Sequence, residues 1–396
     1  MDRIPDAQLL ARLAEVRRIM ATEEVDRLVV FGAPRRTSGG GTVHYLTGWT
    51  PLGSPTILLV GLDGPVRILA DGPNVARVLR KRAERLGETQ TVMGGAPAFA
   101  RVVHESLASM PAGGGRLAVA GGAQMPLVLH EAIAAATRAP VALDRQLEAL
   151  RLIRTVEEVA MHARAAAISD AMINRVMELA ARAETTPAAL MAAAEHEGRR
   201  LGADFSGLWL ATGERPPTTY FELFELDPEL GPHDRIQLGT TLSYEGHFGQ
   251  SLRMGIRGRP SQAIRDCASR LVDMQEEVLS LMRPGVPMHQ IVDRLEALID
   301  ADCPYERLSD PFRFQSCHAL GVDYSEPAYA TALSPARDRS GDGDGPLLAE
   351  HMVFEIHPNF TLPELGHVCA GDMAVITATG AKWLTGTPRG LVELGG

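Results

Sequence analysis

Met352-Val-Phe-Glu-Ile-His357-Pro358 decides how this chain is read, together with Gln237-Leu238-Gly239, Gly249-Gln250-Ser251-Leu252-Arg253, His318-Ala-Leu-Gly-Val-Asp323 and Gly371-Asp372-Met373. In the first of these stretches Glu355 and His357 stand two apart in a β-rich run, so a strand places both on one face. Imidazoles titrate near neutrality, and a pair such as His318 and His357 can divide general-base and general-acid roles, each worth about 10²–10⁴-fold. Glu355 can orient His357 or serve as a base. Gln237 and Gln250 can hold a carbonyl or an oxyanion without carrying charge, or satisfy each other across a sheet. Cys317 is adjacent to His318 and therefore points to the opposite face, which argues against a Cys–His dyad.

Outward from these stretches, 396 residues allow two domains with large cores, and 45% hydrophobic with 22% charged residues is the balance of a globular protein. Apolar runs are broken by Gly, Pro or charge before they reach membrane-spanning length. The start, Met-Asp-Arg-Ile-Pro-Asp, has no apolar core of a secretory signal, so a cytoplasmic location is expected. A net charge of −10 disfavours nonspecific binding to nucleic acid or anionic membranes. Cys267, Cys303, Cys317 and Cys369 lack CxxC spacing and fit reduced thiols.

Periodicity predicts a helix over 9–23, strands over 27–31, 55–60 and 66–70, a basic helix over 75–85, and strands over 116–120 and at Val141, an α/β domain covering 1–150. Pro34-Arg35-Arg36-Thr-Ser-Gly-Gly-Gly41 reads as a basic loop whose Arg35 and Arg36 can reach a substrate carboxylate or stay solvated. A second domain, 151–396, opens on a long helix with Thr155 as N-cap and Glu158 as its capping-box partner. Helices follow over 187–200, 261–283 and 288–299, the third stopped by Pro284-Gly285-Val286, with strands over 206–211 and 235–238. Ser334 to Leu347 is a polar insertion read as a loop between the two histidines.

These motifs together resemble the family of Xaa-Pro peptidases, methionine aminopeptidases and creatinase. The resemblance rests on the Tyr45-Leu-Thr-Gly-Trp49 turn, the string from Glu148 to Ala165, Pro284-Gly-Val286, the His318 and Met352 segments and the terminal run from Asp372. It implies an α+β chain: a creatinase-like α/β domain, then a pita-bread domain of curved antiparallel sheet flanked by helices. It also implies a homodimer in which the first domain caps the partner's site. In the family the five quoted positions carry Asp, Asp, His, Glu and Glu, ligands for two divalent cations; here they read Gln237, Gln250, His318, His357 and Gly371. Hard divalent ions need anionic oxygens, so no metal and no other cofactor is expected. A single-metal site from both histidines with Glu355 or Asp323 is a minor alternative.

The family's other histidines fall at Ser325 and near Tyr220, and Arg253 matches a family arginine. Creatinase is the metal-free precedent, but its catalytic His falls near Tyr220 and two of its active-site Glu positions read His357 and Leu252 here, so creatine is not the expected substrate. Ligand positions point inward, which turns His318 and His357 toward the pocket; with Tyr220 at the pocket rim and Glu355 on the strand face of His357 they are the catalytic candidates, and Gln237, Gln250, Arg253, Arg35 and Arg36 are the substrate-binding ones. The expected function is metal-independent acid–base chemistry on a small amino-acid-derived or amide-containing molecule, by C–N hydrolysis or by elimination, isomerisation or cyclisation, within specialised biosynthesis. The alternative is a noncatalytic relative that binds a peptide or protein; an aminopeptidase with unusual ligands is the third reading.

Overall fold

The computed structural model describes residues 3–34, 37–111, 115–137, 139–182, 185–218, 226, 229–302, 316–324, 326 and 346–394. Arg35, Arg36, Tyr220, Ser325, Cys303 and positions 334–345 of the polar insertion lie outside them. The described residues form two units, one running to Leu152 and including Val322–Tyr324, the other containing the rest.

The first unit runs α1 (Asp6–Thr22), β1 (Val25–Gly32), α2 (Gly41–Thr47), β2 (Thr56–Gly61), β3 (Val66–Asp71), α3 (Gly72–Arg82), β4 (Gly87–Val92), α4 (Gly95–Ser109), β5 (Arg116–Ala120), α5 (Leu127–Ala134), β6 (Val141–Ala142) and α6 (Asp144–Leu152). Its six-stranded sheet has the order β4-β3-β2-β1-β5-β6, with β1 antiparallel to β2 and parallel to β5. Strand β4 escapes a reading by hydrophobicity because it is an edge strand, with the polar sequence Gly-Glu-Thr-Gln-Thr-Val. Helix α4 buries Phe99, Val102, Val103, Ser106 and Leu107, a 3.6-residue periodicity that the sequence reading passed over. The Tyr45–Trp49 segment is not a free turn: it closes α2, where Gly48 takes a left-handed conformation (φ 65°) and its N–H meets the His44 carbonyl at 2.7 Å. Asp323 belongs to this unit, paired with Arg151 at 3.3 Å and accepting from the Gly41 N–H at 3.2 Å.

The second unit contains α7 (Val156–Ala180), α8 (Pro187–Arg200), β7 (Phe205–Gly213), β8 (Arg235–Tyr244), β9 (His247–Ile256), α9 (Gln262–Leu281), α10 (Met288–Asp302), β10 (Cys317–Ala319), β11 (Val353–Ile356), β12 (Asn359–Leu362), β13 (Gly366–Cys369), β14 (Asp372–Ile376), β15 (Ala381–Trp383) and β16 (Leu391–Glu393). Thr155 and Glu158 form the expected capping box at α7. Helix α7 packs on the hairpin β8–β9, and the approach at Gly249 leaves no room for a side chain, since a Cβ there would stand 2.8 Å from that of Ala165. Two four-stranded sheets, β16-β9-β8-β7 and β10-β11-β14-β15, are joined by paired backbone bonds of 3.0 Å between Leu252 and Gly371. No helix among the described residues is long and apolar enough to cross a membrane.

Candidate functional site

Strands β10 and β11 run antiparallel with His318 opposite Glu355, so these two side chains share a face and His357, two residues on from Glu355, continues it. The imidazoles of His318 and His357 meet edge to face, ring centroids 5.0 Å apart. Both rings are buried.

Their hydrogen bonds assign opposite tautomers. His318 Nδ1 lies 3.1 Å from the Ala319 carbonyl and donates to it, leaving the lone pair on Nε2. Asn359 Nδ2 donates both to the His357 carbonyl at 2.7 Å and to His357 Nδ1 at 2.9 Å, so His357 carries its proton on Nε2, which meets no partner among the described residues. Burial pulls His318 down to about 4, and burial with the neighbouring His318 holds His357 well below the usual imidazole range. Near neutral pH the pair is uncharged.

A group that folds neutral and unfolds to be protonated loses native stability as pH falls below its unfolded pKa. For His318 the window is pH 6.5 to about 4. Unfolding free energies of the parent and of His318→Asn, compared across that window, are expected to diverge, the parent losing roughly 3 kcal/mol more. Parallel pH profiles would contradict this.

Glu355 is fully buried and neither carboxyl oxygen meets a partner among the described residues. Burial and the nearby Asp372 push it well above the usual carboxylate range, against the pull of Arg253. Its side chain fills room left by a missing one: a Cβ on Gly371 would stand 2.6 Å from Glu355 Oε1 and 2.5 Å from Leu252 Cδ1.

Gln237 and Gln250 do not satisfy each other, because the β8–β9 register sets Gln237 opposite Met254 and Gln250 opposite Thr241. The Gln237 amide nitrogen bonds His367 Nδ1 instead. Arg253 departs from a substrate-binding role. Its guanidinium forks onto Asp372 at 2.6 and 3.0 Å and reaches the carbonyls of Leu252, Gly371, Thr387 and Pro388 at 2.7–3.0 Å, which occupies every N–H. Cys317 is buried and its thiol pushed far up, as expected of a core residue. Asn359 and His367 are additions to the sequence reading. Asn359 opens β12, in another sheet, and reaches back to the His357 ring from there, whereas His367 meets Gln237 across 130 residues and has no local signal.

The donor set does not fit a dinuclear metal centre. Two amides, two neutral imidazoles and a glycine bring no negative charge against four positive ones, and burial with the neighbouring Asp372 raises the Glu355 carboxyl, which disfavours its charged form. Among the described residues no group of three or more His, Cys, Asp or Glu is placed to hold a metal ion.

The model of metallopeptidase family M24 matches residues 160–378. The chain is 25% identical to the Xaa-Pro dipeptidase of Pyrococcus furiosus over 63% of its own length and 68% of the relative's. It is 24% identical to an uncharacterized hydrolase/peptidase, y4tL, of Sinorhizobium fredii, over 98% and 97% of the two chains. The crystal structure of dipeptidase PepE from Mycobacterium ulcerans superposes with a TM-score of 0.76 at 20% identity, covering all of both chains. The α+β pita-bread class implied by the motifs is therefore the class of this fold.

Proposed function

This chain belongs to metallopeptidase family M24, and from that premise we propose that it performs metal-independent acid–base chemistry on the C–N bond of a small amide-containing molecule. The observation that carries the proposal is the His318–His357 contact with opposite tautomers, at two positions where the family places metal ligands. The Pyrococcus furiosus relative is a dipeptidase, and an amide C–N bond is the nearest chemistry to that.

The two rings have different tasks. A neutral imidazole that gave up its Nε2 proton would become an imidazolate, so His357 acts by polarising the substrate carbonyl and holding the oxyanion. His318 Nε2 takes a proton from water as the water oxygen bonds the carbonyl carbon. It returns that proton to the leaving nitrogen as the C–N bond breaks, so one water is consumed and both rings end as they began. Its low proton affinity favours the return. Glu355, as a neutral carboxylic acid, is a second donor beside the pair, and Asn359 keeps the His357 proton on Nε2.

Metal analysis of protein purified without chelator, with turnover of N-acyl amino-acid amides followed before and after 1,10-phenanthroline, tests the proposal. The expected result is chelator-insensitive turnover. About two equivalents of bound divalent metal, or turnover lost to chelator and restored by Mn²⁺ or Co²⁺, would sink it.

A further inference from the structure

Every residue of β7, β8 and β9 is buried except the last of each strand and Trp209. Trp209 stands opposite Gly239, and opposite residues of an antiparallel pair share a face. A Cβ on Gly239 would stand 3.0 Å from Trp209 Cε3 and 3.4 Å from Leu252 Cγ, so the indole lies over a strand position that has no side chain, beside Leu252. The Leu252 side chain in turn closes on Gly371 next to the Glu355 carboxyl, and Glu355 is opposite His318. The indole therefore borders the face that carries the histidine pair, at the place where this sheet opens to solvent.

Two and four residues before Gly239 on β8, the same face presents Gln237 and Arg235. Both are buried. The Gln237 amide nitrogen is held by His367 Nδ1, while its Oε1 meets no partner among the described residues. Arg235 Nη2 is bonded to the Leu365 carbonyl and, at 2.8 Å, to the His367 carbonyl, while Nε meets no partner among the described residues. Burial pulls Arg235 down to about 10, and the groups that oppose this are the thiols of Cys369 and Cys267, not a carboxylate. Opposite Gln237 and Arg235 on β7 stand the small residues Ala211 and Gly213, and a Cβ on Gly213 would meet nothing within 4 Å among the described residues. A buried amide oxygen without a donor and a buried cation without a countercharge mark the place of a partner.

Along β8 the face thus offers a guanidinium, an amide oxygen and an indole in that order. An extended N-aroyl amino acid presents a carboxylate, an amide N–H and an aromatic ring in the same order. Resting on the acid–base reading of the same site, we propose that this face binds an N-aroyl amino acid, with its carboxylate on Arg235, its amide N–H on Gln237 Oε1 and its ring on Trp209. The carboxylate supplies the countercharge that the interior denies the guanidinium, and a charge-assisted bond to Nε–H is among the stronger kinds. Stacking on the indole adds to the burial of the ring. Addition of one water to the amide carbonyl and cleavage of its C–N bond then give an aromatic acid and a free amino acid.

Titration calorimetry with N-benzoylglycine, N-acetylglycine and N-benzoylglycinamide tests this, the second probe lacking the ring and the third the charge. N-benzoylglycine is expected to bind saturably, at least about tenfold more tightly than either of the others. Trp209→Ala should erase its advantage over N-acetylglycine, and Arg235→Gln its advantage over N-benzoylglycinamide. Arg235 also holds the β12–β13 hairpin, so the comparison of the three probes on the parent protein decides the carboxylate contact even where that variant does not fold. No binding of N-benzoylglycine at millimolar concentration, equal binding of either other probe, or a benzoyl preference that survives in Trp209→Ala overturns the proposal. The expected preferences without His318-dependent release of benzoate would leave this inference standing and remove the catalytic one. His318-dependent turnover that favours N-benzoylglycinamide over N-benzoylglycine would do the reverse.

Discussion

Arg253→Met is expected to destabilise the second unit by roughly 3–5 kcal/mol, because it strands the Asp372 carboxylate in the interior. Asp372 is 1% exposed, and without the guanidinium its remaining donors among the described residues are Thr385 Oγ1 at 2.6 Å and the Gln275 amide at 3.1 Å. Burial already raises the Asp372 carboxyl against the pull of Arg253. Four backbone carbonyls lose a donor at the same time, two of them, Leu252 and Gly371, at the junction of β9 with β14. Urea unfolding followed by circular dichroism should show a lower midpoint at unchanged slope. The double variant Arg253→Met/Asp372→Leu should regain much of the loss, since a hydrophobic pair leaves no charge unpaired. A single-variant loss under about 1 kcal/mol would mean that the fork is not what holds this junction.

His318→Ala is expected to lower kcat by about 10²–10⁴-fold through loss of the base, and His357→Ala by about 10²–10³-fold through loss of the oxyanion donor. Neither should disturb far-ultraviolet circular dichroism, because the His318 ring is bonded to the adjacent Ala319 carbonyl and the His357 ring to the Asn359 amide two residues on. Asn359→Leu adds a discriminating arm: it removes the donor to His357 Nδ1, so ring ¹⁵N shifts should show His357 sampling both tautomers while kcat falls with KM little changed. A packing role would move neither signal. Parent-like turnover in both alanine variants would reduce the histidine pair to a core contact and favour the noncatalytic reading.

Local features were legible and remote ones were not. The Thr155–Glu158 capping box was readable because both of its bonds close within three residues. The strand alternation of Glu355 and His357 followed from backbone geometry alone. Arg253 misled because its carboxylate partner is 119 residues downstream, so the sequence around it shows a free guanidinium where the fold has a filled one. The supposed Gln237–Gln250 pairing failed for a similar reason: hairpin register, set by the pairing from Tyr244↔His247 onward, decides which residues face each other.

Which donor atoms stand at the five quoted positions is a property of residue identity, and the sequence by itself determined that they are two amides, two imidazoles and a glycine. It also determined the fold, because strand period, helix caps and motif order are local and cumulative. What only the tertiary structure decided is the state of those groups: which nitrogen of each histidine holds the proton, that burial pushes the Glu355 carboxyl well above its usual range, and that Arg253 is engaged by Asp372. Protonation and availability depend on desolvation and on partners brought in from distant segments, and neither exists until the chain has folded.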